Sequence, residues 1–140
     1  MQQEPLILTG IALFWAGFVS AISFMEAWLK FKAKGVTLAI GLSIGKRIFK
    51  ALNFVEWFLL FLFIFAWYFH FKGTWGGREL IPLLLLIILL IQTLYLLPRL
   101  NKRADMVIGG QTVGRSGIHI YYVGVEFVKV LVLVFLSVII

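Results

Sequence analysis

The chain has 140 residues, of which 62% are hydrophobic and 14% charged, with a mean hydropathy of +1.04, a net charge of +7 and no cysteine. Such a composition excludes a water-soluble domain, and the missing cysteines exclude disulfides, thiolate metal sites and thiol catalysis. The basic excess is assigned to the lipid bilayer, as the cytoplasmic rim of a membrane protein, and nucleic acid is excluded as a partner.

The opening MQQEP has no basic n-region, so no cleaved signal peptide is expected there. A bilayer core of about 30 Å takes about 20 helical residues to cross. Four apolar runs meet that length: Leu6 to Leu29, Ala51 to Phe71, Leu80 to Leu97 and Gly117 to Ile140. They are unbroken rather than alternating, which excludes a strand reading. Pro82 falls in the first turn of the third run, and Pro98 is expected to end it. The expected fold is an all-α integral membrane protein of four transmembrane helices, one domain over residues 1–140.

Basic residues set the expected orientation. The connection 30–50 holds Lys30, Lys32, Lys34, Lys46, Arg47 and Lys50, and the connection 98–116 holds Arg99, Lys102, Arg103 and Arg115. All ten are assigned to lipid headgroups on the cytoplasmic side of a bacterial inner membrane, with both termini outside. Trp67, Tyr68 and Trp75 are expected in the outer aromatic belt. VTLAIGLSIGKR, too short to span, is expected to lie in the interface or to dip in as a re-entrant turn, with Gly41 and Gly45 allowing close packing. Its counterpart VIGGQTVGRSG reads as a flap over a vestibule.

A repeat organises the chain. Ile40, Gly41, Ile44, Gly45, Lys46, Val55, Glu56 and Trp57 recur as Ile108, Gly109, Val113, Gly114, Arg115, Val125, Glu126 and Phe127, at offsets of 68 to 70 residues. Each half, about 6–71 and about 80–140, reads as one hairpin of a parallel duplication. Its pseudo-two-fold axis would run along the membrane normal. That axis makes Glu56 and Glu126 equivalent and turns them toward each other.

On the fourth run, a period of 3.6 residues places Arg115, His119, Tyr122, Glu126, Lys129 and Ser137 in one stripe. Glu26 on the first run, Asn53 and Glu56 on the second, and Gln92 on the third stand at similar depth. An ionised group near mid-bilayer costs about 2.5 to 3.5 kcal/mol on insertion scales, so these groups are expected to face protein and to be paired. Glu126 and Lys129, three apart, can pair as simple helix glue. The functional alternative is a proton or ion site built from Glu56, Glu126, His119, Lys129, Asn53, Glu26 and Tyr122, because two adjacent carboxylates cannot both ionise cheaply.

Other chemistries stay open at this level. Glu26, Glu56, His119 and Glu126 offer oxygen and nitrogen metal ligands, but without an ExxH or HxxxH pair. His70 and His119 fall toward opposite faces and cannot share a haem iron. Acid–base chemistry on a lipid would lack a nucleophile motif and a phosphate-binding loop. No cofactor and no catalytic residue is assigned. A non-catalytic assembly or lipid-binding subunit is the remaining class. A homo-oligomer is expected, since four spans enclose little volume, with Ala12, Ala16 and Ser20 as one packing face.

The stretches SFMEAWLKFKAKGVTLAIGLSIGKRIFKALNFVEW and LPRLNKRADMVIGGQTVGRSGIHIYYVGVE resemble a group of small uncharacterised bacterial four-span membrane proteins. They are more distantly similar in layout to transmembrane-protein-205-like domains of unknown function. The resemblance implies a four-span bacterial membrane protein and no particular activity.

Overall fold

The structure, a computed structural model, describes residues 3–72, 79–114 and 116–140. Among the described residues all regular elements are helical. Four helices are long and apolar enough to cross a membrane: α1 (Pro5–Lys32), α2 (Leu38–Phe71), α3 (Leu80–Ile108) and α4 (Ile118–Ile139). Arg115 and Trp75 lie outside the described residues.

Each helix buries one stripe with steps of three and four residues, the spacing that keeps side chains on one face. The stripe is Leu8, Ala12, Trp15, Val19 and Ser23 on α1, and Leu52, Glu56, Leu59, Phe63 and Trp67 on α2. On α3 it is Leu85, Leu89, Gln92 and Leu96, and on α4 Tyr122, Glu126, Lys129, Leu133 and Leu136. The outward faces carry large apolar side chains instead, among them Phe54, Phe61, Ile120 and Val138. Such a continuous surface gains nothing from water and everything from hydrocarbon.

α1 packs most closely against α4. Ala12 and Ala16 are buried on α1, and side chains this small let helix backbones near each other. The packing face expected at Ala12, Ala16 and Ser20 is used within the chain, and half-buried Ser20 turns its hydroxyl onto the Ala16 carbonyl at 2.7 Å. Trp67 also departs from expectation. It belongs to the buried stripe of α2, between Phe63 and Phe71, whereas Tyr68 beside it is exposed.

The largest differences from expectation concern the basic connections. VTLAIGLSIGKR is no re-entrant turn: residues 38–50 are the first turns of α2, a single 34-residue helix. At 1.5 Å per residue α2 is about 51 Å long, about 20 Å more than a bilayer core. Thr37 starts it, its hydroxyl oxygen accepting the Ile40 N–H. α3 likewise runs on to Ile108, and Pro98 does not end it. The preceding residues Gln92–Leu96 form a π-helical segment. A wider turn there removes the carbonyl that a proline ring would strike, so Pro98 begins the next α-helical stretch without a break. α1 holds a second π-helical segment, Ala21–Glu26.

The true connections at this end are short, residues 33–37 and 109–117. Gly110 ends α3 in the left-handed region at φ +80, where Gln111 N–H returns to the Met106 carbonyl at 3.0 Å. The projecting parts of α2 and α3 lie alongside each other, joined by Lys46, whose Nζ stands 2.6 and 2.7 Å from the two oxygens of Asp105. Gly41 and Gly45 serve the close approach expected of them: a β-carbon at either would run into Phe31 or Lys30 from the end of α1.

Candidate functional site

The four helices meet in a polar centre. Lys129 is near the middle residue of α4, about 16 Å from its start at 1.5 Å per residue. Its ammonium forms ion pairs with Glu56 of α2 and, at 2.8 Å, with Oε2 of Glu126 one turn back. It also donates to Oε1 of Gln92 in the π-helical segment of α3, at 2.7 Å. The Gln92 amide oxygen and two carboxylates thus surround the ammonium. Trp15 of α1 closes the ring, its indole N–H donating to Glu56 Oε1 at 2.9 Å. Glu56, Glu126, Lys129 and Gln92 are each 0% exposed.

Gln92 reaches this centre by continuing the buried stripe of α3, three residues after Leu89, at the start of the π-helical segment. The other segment, in α1, likewise buries a polar residue, Ser23.

The centre is not neutral when all its members are ionised. Two carboxylates face one ammonium, and Glu56 and Glu126 lie close enough to repel. Among the described residues, Glu56 Oε2 and both oxygens of Glu126 have no hydrogen-bond partner. The 2.8 Å approach of Lys129 to Glu126 Oε2 is an ion contact outside hydrogen-bond geometry. The Tyr122 hydroxyl, fully buried, lies within electrostatic reach of both carboxylates but is likewise without a hydrogen-bond partner there.

The remaining expected site residues lie apart from this centre. Asn53 is buried, but its partner is Thr93, whose hydroxyl also accepts the indole N–H of Trp57 at 2.9 Å. That triad ties α2 to α3 one turn from Glu56. Glu26 is partly exposed and pairs with Lys30 at 3.2 Å, toward the basic end. His119 is exposed and lines a cavity of about 300 Å³ with Lys30, Phe31, Lys46, Phe49 and Arg103. Glu26, Glu56, His119 and Glu126 are therefore not gathered as metal ligands, and among the described residues no group of three or more His, Cys, Asp and Glu side chains is.

Between cavity and carboxylates stands one aromatic contact. Phe49 forms part of the cavity wall and meets Tyr122 edge-on, with ring centroids 5.1 Å apart. Trp15 and Gln92 complete the carboxylate centre, and neither was among the expected site residues. Gln92 was visible as a polar residue at the right depth. Trp15 gave no such signal, since a tryptophan in an apolar run reads as packing.

Of the ten basic residues assigned to headgroups, Lys30 and Lys46 are engaged by acids, while Lys32, Lys34, Arg47, Lys50, Arg99 and Lys102 are exposed. Lys32 lies over the Trp28 ring at 4.5 Å and Arg99 over the Tyr95 ring at 3.9 Å. Arg103 is half-buried and donates to the Gly114 carbonyl at 2.5 Å. Comparison of the chain with protein-family models, with curated proteins and with solved structures returns no match.

Proposed function

We propose that this chain is a multi-pass membrane protein that carries out proton-linked transport, with Glu56, Glu126 and Lys129 as the site that takes up and releases the proton. The observation carrying this reading is the excess carboxylate. A purely structural ion pair needs one acid per base, and burying a further charge costs several kcal/mol or about that order. Here a second carboxylate is buried against the ammonium that Glu56 already uses, with no other base beside it among the described residues. A proton on either carboxyl brings the centre to neutrality and converts a lone acceptor into a donor.

In this reading the basic end faces the cytoplasm, and the cavity lined by His119 is the vestibule through which protons arrive. His119 hands them inward from the cavity, and the Phe49–Tyr122 contact is the barrier. The duplication is part of the proposal. Buried residues recur 70 apart at Trp15 and Leu85, Val19 and Leu89, Leu52 and Tyr122, Glu56 and Glu126, and Phe63 and Leu133. The π-helical segments Ala21–Glu26 and Gln92–Leu96 fall at nearly the same offset. Lys129 breaks the correspondence, because its counterpart is Leu59. One ammonium therefore serves two ancestral carboxylates.

The test is proton flux into liposomes containing the purified chain and an internal pH-sensitive dye. The wild type should relax an imposed pH gradient faster than empty vesicles, and Glu126→Gln should abolish the difference while leaving the fold intact. Equal flux from wild type and variant would leave the centre a structural clamp.

A further inference from the structure

A second cleft opens between the projecting part of α3 and the start of α4, away from the carboxylate centre. Its volume is about 710 Å³. One wall is Tyr95, Arg99, Arg103 and Met106, at steps of four, four and three residues along one face of α3, together with Lys102 beside Arg103. The opposite wall is Gly117, Ile118, Tyr121 and Val125 of α4.

The charge in this cleft is one-sided. No acidic residue lines it, and among the described residues no carboxylate pairs with Arg99, Lys102 or Arg103. Asp105, the acid nearest in sequence, is held by Lys46 on the other side of α3. Arg99 Cζ lies over the Tyr95 ring, 3.9 Å from its centroid, a contact that does not neutralise the guanidinium. Arg103 is fixed by the Gly114 carbonyl, so the 109–117 connection is tied to the same wall. The positive end of the α4 dipole adds to this field at Gly117 and Ile118.

Going deeper, toward the apolar middle of the helices, the lining changes to Ile91, Leu96 and Val125. The cleft is thus cationic at one end and apolar at the other, along the direction in which a lipid would lie. A soluble phosphate compound needs only the first feature. Basic pockets between membrane helices on this face are suited to phospholipid headgroups.

We infer that the cleft between α3 and α4 is a specific binding site for an anionic phospholipid, whose phosphate is held by Arg99, Lys102 and Arg103 and whose acyl chain lies along Ile91, Leu96 and Val125. This site is independent of the proton-linked reading. It differs from the general attraction of basic residues to headgroups in having a defined occupant position, with Lys32, Lys34, Arg47 and Lys50 outside it.

The experiment is native mass spectrometry of the full chain, released from detergent with phosphatidylglycerol or phosphatidylcholine added at equal concentration. Retention of one phosphatidylglycerol in preference to phosphatidylcholine is expected. Arg99→Gln with Lys102→Gln should cut that retention about tenfold or more, taking about 1 kcal/mol per basic residue near a headgroup. Lys32→Gln with Lys34→Gln, which removes the same charge elsewhere on the rim, should leave it within about twofold, as those residues lie outside the cleft. Equal losses from the two double variants would mean diffuse attraction and overturn the site. Displacement of the lipid by millimolar inorganic phosphate would assign the cleft to a soluble anion and overturn the lipid. Because the two lipids are compared on unaltered protein, a misfolded variant could not produce the expected preference.

Discussion

Glu56 of α2 and Lys129 of α4 form an ion pair in which neither side chain reaches the surface. The same ammonium contacts Glu126, so the three groups carry one more negative than positive charge when ionised. Removing the base should therefore be far worse than removing the second acid. Lys129→Met leaves two facing carboxylates unpaired and is expected to destabilise the chain by about 3 to 5 kcal/mol. Glu126→Gln removes the surplus charge and should cost less than about 1 kcal/mol or stabilise, since neither Glu126 oxygen accepts a hydrogen bond. Reversible unfolding in mixed micelles would give both values. The opposite order would mean that Glu126 carries the pair and Glu56 is the surplus acid.

Glu56→Gln should fall between them. It keeps an oxygen for the Trp15 indole but places an amide against an ammonium, and the lost charged hydrogen bond is worth about 1.5 to 3 kcal/mol. Trp15→Phe isolates the indole contribution, with an expected cost of about 1 to 3 kcal/mol from the lost hydrogen bond to a carboxylate and reduced packing, while Glu56 Oε1 keeps its ion pair with Lys129. The same unfolding measurement reads both variants.

Phe49 separates the cavity of about 300 Å³ from Tyr122 and the carboxylates. Phe49→Ala should join the two spaces and raise proton flux in liposomes above that of the wild type. The substitution also removes a buried ring, at a cost of about 3 to 5 kcal/mol, so flux is compared at equal folded protein. Unchanged flux would show that Phe49 is not the barrier.

Two glycines distinguish packing from helix propensity. A β-carbon at Gly41 meets the Phe31 ring, whereas at Gly17 it meets nothing within 4 Å. Gly41→Ala should therefore destabilise by about 1 to 3 kcal/mol through overpacking. Gly17→Ala should be neutral or stabilise by up to about 1 kcal/mol. Thermal unfolding of the two single variants would separate these effects.

The Thr93 hydroxyl is the common partner of Asn53 and Trp57. Thr93→Val preserves shape but orphans two donors between α2 and α3, and should cost about 1 to 3 kcal/mol. Thr93→Ser, which keeps the hydroxyl, should recover most of that loss. A serine variant as unstable as the valine one would point to the methyl group instead.

The sequence by itself determined the all-helical class, the number of helices long and apolar enough to cross a membrane, and the burial of Glu56, Glu126 and Lys129. Each follows from a local quantity: run length against bilayer thickness, or the position of a costly charge within a run. It also placed Glu126 and Lys129 on one face, because helical spacing alone does so. What it did not determine was where helices end at the basic side. Residues 38–50 and 98–108 are polar enough to read as connections, yet they are helical because α2 and α3 extend together and join through Lys46 and Asp105, 59 residues apart. Nor did it determine which acids share a base. Glu26 is another carboxylate on an apolar run but remains with Lys30 toward the basic end, whereas Glu56 is brought to Lys129 across the bundle, because α2 and α4 both pack on α1 and α3. Only the tertiary structure decides such contacts, since a helix period fixes which face a residue occupies and says nothing of which helix that face will meet.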